Sequence, residues 1–123
     1  MRDLSSFLAA LSEPTRLEAL RLLADGREHC VCELMELLSA TQSRMSRHMG
    51  VLKSAGIVTD RRDAQWVRYR RNPDLAPELD AILNAVMIAA DARQAAMQSS
   101  RGQRMAGNRK PGQRKPGQRK DAA

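Results

Sequence analysis

Only three of the 123 residues are aromatic, Phe7, Trp66 and Tyr69, although 42% of the chain is hydrophobic. Leu, Ala, Met, Ile and Val must therefore fill the interior, as in helical proteins, and a β-sandwich or barrel is disfavoured. A chain of this length supports one core and falls short of the size that splits into two.

The apolar spacing agrees. Leu4, Phe7, Leu8 and Leu11 form one stripe of a short first helix. Ser12 is the expected N-cap of a second, with Pro14 in its first turn, Leu17, Leu20, Leu23 and Ala24 facing inward, and Gly26 at its stop. Residues 30–38 read as a third helix with Val31, Leu34, Leu37 and Leu38 inward. Thr41 caps a fourth that runs to Ala55, with Gly56 just past its end. Only Ser39 and Ala40 separate the third and fourth helices, the short link of a helix-turn-helix. Met45, Met49 and Leu52 then belong to the core.

Residues 57–62 and 65–71 are β-prone on either side of Asp63-Ala64, a two-stranded hairpin placed as the wing of a winged helix. After Pro73 and Pro77 a long helix extends to about Gln98, lined by Leu79, Ile82, Leu83, Val86, Met87 and Ala90. Its other side, Ala81, Ala85, Ile88 and Ala89, is apolar too, and burying it against a second copy predicts a homodimer through the first and last helices. The expected organisation is a winged helix-turn-helix domain over 1–98 and a basic tail over 99–123. In that tail Lys-Pro-Gly-Gln-Arg occurs at 110–114 and again at 115–119, a composition expected to be disordered.

Charge is unevenly placed. Residues 1–40 carry 4 basic and 7 acidic groups, 41–71 carry 8 and 2, 72–100 carry 1 and 4, and 101–123 carry 8 and 1. The central excess coincides with the fourth helix and the hairpin, which points to double-stranded DNA as a partner. On the helix, Gln42, Ser43 and Arg47 are candidates for base contacts, Arg44 and Lys53 for phosphates, and Ser46 completes the outward polar set. His48 lies between core and surface and serves either DNA or packing. On the hairpin, Arg61, Arg62, Gln65 and Arg68 can reach the neighbouring groove or backbone. The tail either adds salt-sensitive affinity or is dispensable.

The two cysteines, Cys30 and Cys32, directly precede the helix-turn-helix. No apolar run approaches the roughly 18 residues that span a bilayer, and Met-Arg-Asp-Leu-Ser-Ser is no signal peptide, so a cytoplasmic protein without membrane contact is expected. In that compartment paired thiols bind metal or sense redox state more often than they staple a fold. If both lay in regular helix they would be about 200° apart around its axis, and joint ligation would require local unwinding. His29 is a candidate third ligand, or else a solvated side chain; the plainer alternative for the cysteines is that they fill space.

Leu11-Ser12-Glu13-Pro14-Thr15-Arg16-Leu17, Cys30-Val31-Cys32-Glu33-Leu34, Gln42 through Gly56, and Gln65-Trp66-Val67-Arg68-Tyr69 together resemble the ArsR–SmtB family of bacterial winged-helix repressors. The resemblance covers residues 4–98 and implies five helices and a wing. Cys-Val-Cys before the reading helix is similar to the arsenical-resistance type, which implies trivalent arsenic or antimony as inducer at Cys30 and Cys32 and release of operator DNA. In several such proteins a third cysteine follows three residues after the second; here that position is Met35, a thioether that cannot become a thiolate. Zinc, cadmium or lead sites of other members are not supported, since no cysteine precedes Cys30 and no histidine follows His48.

No phosphate-binding glycine loop or His-Glu-x-x-His motif is present, and Cys30 has no evident base, so an enzyme is not expected and no further cofactor is implied. Two other readings remain beside the metalloid sensor: a thiol redox or persulfide-responsive repressor of the same fold, and a constitutive DNA-binding architectural protein.

Overall fold

This computed structural model describes residues 3–107, with side chains to residue 99. By its internal contacts the chain divides into residues 1–90 and 91–123. Elements run in the order α1 (Leu4–Leu11), α2 (Pro14–Leu22), β1 (His29–Cys30), α3 (Val31–Leu38), α4 (Gln42–Ser54), β2 (Val58–Asp63), β3 (Trp66–Arg71) and α5 (Pro77–Gly107). The expected winged helix-turn-helix is therefore present. The hairpin is β2–β3, and a third strand that the sequence did not announce, β1, adds to it in the order β1-β3-β2.

Each of the first four helices starts on a side chain that takes up an otherwise unpaired N–H. Asp3 Oδ1 accepts from Ser6 N at 2.7 Å, Glu13 Oε1 from Arg16 N at 2.9 Å, and Thr41 Oγ1 from Arg44 N at 3.2 Å. The cap of α2 is thus Glu13; Ser12, expected there, closes α1 instead and returns its hydroxyl to Ala9 O. Helix α3 begins one residue later than expected because Cys30, with extended φ −67° and ψ 144°, is its cap. At the far end of α4, Ile57 N donates to Leu52 O and Gly56 N to Lys53 O, both at 2.9 Å, with Gly56 at φ 80°. That pair of bonds stops the helix and aims the chain into β2.

The core gathers Phe7, Leu20, Leu23, Leu34, Met45, Met49, Leu52, Ile57, Val58 and Leu83, every one of them almost free of solvent. Two expected inward residues are not inside: Ala24 is exposed, and Leu37 is 56% exposed. Helix α5 buries Leu83 and Met87 while Ala81, Ala85, Ile88 and Ala89 stay exposed, the two-sided pattern read from the sequence. On α1 the stripe splits, Phe7 and Leu11 buried but Leu4 52% and Leu8 46% exposed. The backbone of α5 continues past Gln98 to Gly107. The rest of the tail expected to be disordered, residues 108–123, lies outside the described residues.

Asn72 fixes the wing to the end of α4: its N–H donates to Ile57 O and its Nδ2 to Gly56 O, both at 2.9 Å. Arg71 ties β3 to α5, donating to Asp80 at 2.8 Å and Asn84 at 2.6 Å.

Two glycines separate backbone strain from space. A Cβ at Gly26 or at Gly50 would meet nothing within 4 Å, but Gly26 has φ +77° whereas Gly50 is helical. Gly26→Ala is expected to destabilise the fold by about 1 kcal/mol, and Gly50→Ala to stabilise it by roughly 0.5–1 kcal/mol. Urea denaturation of both variants checks the opposite signs.

Candidate functional site

The thiol pair sits where the chain changes from strand to helix. Cys30 is the last residue of β1 and the cap of α3, and its Sγ accepts the Cys32 N–H at 3.3 Å. Because Cys30 is extended rather than helical, the angular separation expected for two helical residues does not arise. The Cα atoms are 5.2 Å apart and the sulfurs are joined as a disulfide. That separation is ordinary for a bridge. The unwinding anticipated from sequence is therefore unnecessary. Cys30 is buried and Cys32 exposed, so the pair is reached from the Cys32 side.

Cys30 also joins the wing. In β1, His29 is paired with Tyr69 and Cys30 with Arg68 of β3, and β3 pairs with β2 along its whole length. Directly opposed residues share a face, so Arg61, Arg68 and Cys30 all project from the same side of the sheet. Glu28, just before β1, reaches across β3 and accepts from Arg61 at 2.9 and 2.6 Å. The hydrogen bond from Arg61 lowers the Glu28 pKa, with Arg68 and Arg70 close enough to assist. Arg70 and Glu28 were not among the sequence candidates; Arg70 Nε is, among the described residues, a buried donor without a partner.

His29 is clasped. Its Nε2 lies 3.0 Å from Asp25 and its Nδ1 3.2 Å from Glu33. Both ring nitrogens are thus engaged by carboxylates, and ligation by His29 would require breaking one of these contacts. Among the described residues no group of three His, Cys, Asp or Glu is arranged to hold a metal ion.

On α4, Gln42, Ser43, Arg44, Ser46 and Arg47 are all exposed, with no side-chain bond or ion pair to another described residue. They form one polar face in the second helix of the helix-turn-helix. His48 departs from them, with its ring turned toward α2 and only 15% exposed. The other cationic candidates are held by carboxylates: Lys53 by Asp60 at 3.0 Å, Arg61 by Glu28, and Arg68 by Asp63 at 2.7 Å. Arg62 and Gln65 are exposed at and beside the hairpin tip. Acidic partners distant in sequence, such as Glu28 for Arg61, carry no spacing signal that would have revealed these pairs.

The clasp makes stability depend on pH. Burial opposes a charge on His29, but the hydrogen bonds to Asp25 and Glu33 outweigh it and raise the imidazole above its ordinary 6.5. A raised folded value contributes stability that is complete below the ordinary value and is lost as pH rises through the folded one. The destabilisation by His29→Gln should therefore be larger at about pH 5.5 than at about pH 8.5. Urea denaturation at the two pH values measures this, and equal losses would contradict it.

Comparison with known proteins agrees with this geometry. Residues 13–60 match the family model described as bacterial regulatory protein, arsR family. The arsenic resistance transcriptional regulator ArsR2 of Pseudomonas putida is 44% identical over 78 residues, which are 63% of this chain and 68% of that protein. The arsenical resistance operon repressor of Escherichia coli is 38% identical over 65 residues, 53% of this chain and 56% of that protein. The chain thus spans between about half and two thirds of the length of these relatives. A homodimeric winged helix-turn-helix DNA-binding domain from Mycobacterium bovis, 28% identical, superposes with TM-score 0.59 over 71% of this chain and 77% of its own. No helix among the described residues is long and apolar enough to cross a membrane. The chain belongs to the arsR family of bacterial regulatory proteins and is a winged helix-turn-helix DNA-binding regulator.

Proposed function

We propose that this regulator is a cytoplasmic homodimeric repressor that releases operator DNA when trivalent arsenic or antimony binds Cys30 and Cys32. The observation that carries the reading is the meeting of the two sulfurs at the cap of α3. Condensation of arsenous acid with two thiols expels two waters and leaves one hydroxyl on arsenic, so a two-sulfur site needs no third cysteine at Met35. The names of the relatives above support a metalloid inducer. Ligation withdraws the Cys30 sulfur from its capping bond and loads the β1–β3 pairing, so α3 and the wing are both affected. Gln42, Ser43 and Arg47 read bases, with Arg44 and Arg62 on phosphates. Lys53, Arg61 and Arg68 exchange their carboxylates for phosphate. The exposed faces of α1, with Leu4 and Leu8, and of α5, with Ile88, are the dimer surface. The basic tail adds non-specific affinity by releasing counterions.

A second reading rests on the same sulfur pair. The bonded sulfurs favour a thiol redox switch, in which loss of two electrons and two protons to a peroxide or persulfide closes the bridge. The two readings exclude one another within a single molecule, since a bridged pair cannot ligate arsenic.

Operator binding of reduced protein titrated with arsenite, then with peroxide, separates them. Arsenite alone is expected to release DNA, with one arsenic bound per chain, and Cys30→Ser or Cys32→Ser should abolish release while leaving DNA affinity within about threefold. Release by peroxide alone would establish the redox reading, and response to neither, with little preference for operator, an architectural protein. Arg47→Ala should weaken operator binding by about 1–3 kcal/mol and relax discrimination against scrambled duplex. Unchanged discrimination in a mobility-shift assay would contradict its base contact.

A further inference from the structure

His48 lies in the middle of the reading helix, next to Arg47, yet its polar edge faces the protein. Its Nδ1 is 3.1 Å from Nη1 of Arg16 and 3.8 Å from Glu13 Oε1. Arg16 is itself fixed from several directions: its Nε donates to Ala10 O at 2.7 Å, its Nη2 to Ala9 O at 3.4 Å, and its backbone N–H to Glu13 Oε1 at 2.9 Å. The two carbonyls belong to the last turn of α1, where helical partners run out. One residue at the start of α2 thus joins, through its guanidinium, the end of α1 to the centre of α4.

A guanidinium only donates, so in this bond Nδ1 is the acceptor and the ring hydrogen belongs on Nε2. Met45, Met49 and Leu52 hold α4 in the core by contacts that have no directional preference. A hydrogen bond with fixed geometry does discriminate between rotations of the helix about its axis. We infer that Arg16 and His48 are positioning residues for DNA reading: their bond sets the rotation of α4, and with it the bases that Gln42, Ser43 and Arg47 meet. His48 is then an internal acceptor, not a contact to the duplex. The inference rests on DNA reading by α4 and is independent of the inducer.

The test uses the full chain, a duplex selected by the wild-type protein from a random pool, and a scrambled duplex of equal length. Asn at position 48 can place a carbonyl oxygen close to where Nδ1 stands and so still accept from Arg16; Leu cannot. His48→Asn should keep discrimination between the duplexes within about threefold of wild type, while His48→Leu and Arg16→Met should each lose about tenfold. Affinity for the scrambled duplex should stay unchanged, and melting followed by circular dichroism should confirm that each variant is folded at the assay temperature. The double variant Arg16→Met/His48→Leu should lose no more discrimination than either single one, because both remove the same bond. Nitrogen NMR of the wild type should find His48 Nδ1 unprotonated.

Additive losses, full discrimination by the Leu variant, loss in the Asn variant equal to that in the Leu variant, or a hydrogen on Nδ1 would each overturn the inference. A wild-type protein that selects no duplex would refute DNA reading itself before any variant was made.

Discussion

The change from extended to helical backbone at Cys30 is the constraint on which the rest of this structure depends. One residue ends β1, pairs with Arg68 of the wing, and accepts with its sulfur the Cys32 N–H in the first turn of α3. Had the helix begun one residue earlier, Cys30 and Cys32 would face away from each other and the third strand would be lost. Placing a chemically reactive atom in a cap makes the start of a helix answerable to that atom's bonding, because a cap is worth about 1 kcal/mol and is local.

Much of this architecture was legible in the sequence, and for definite reasons. Helical periodicity located the core residues Met45, Met49 and Leu52. Thr41 and Gly56 marked the ends of α4 because a hydroxyl cap and a positive φ are requirements of the backbone itself. The failures have definite causes too. Pro14 is the first residue of α2 and keeps the residue before it extended, so the cap falls on Glu13 while Ser12 closes α1. Strand β1 is two residues long and owes its existence to β3, so no local pattern could disclose it. The thiol pair was found by its spacing, but its geometry was misread because the helix was started one residue too soon.

The basic centre of the chain illustrates the same limit in electrostatic form. Counting charges along 41–71 suggests a surface of free cations, yet Lys53, Arg61 and Arg68 are each occupied by a carboxylate. These pairs are at least partly exposed, and such pairs contribute little, so trading a carboxylate for a phosphate costs little. The arginines of α4 differ, since Arg44 and Arg47 stand on an exposed face without a partner among the described residues. Under the proposed function such a regulator meets DNA first with its helix and commits its wing by exchange of partners.

The reading helix is therefore supported on two sides by different chemistry. Toward α1 and α2 it meets Arg16, whose guanidinium only donates and whose carbonyl partners belong to the backbone. Toward α3 it meets an element whose first turn hangs on a sulfur. Under the proposed function the Arg16 bond acts as a pivot, so that a displacement of α3 on the other side of α4 turns the helix and changes which groups it presents to the duplex.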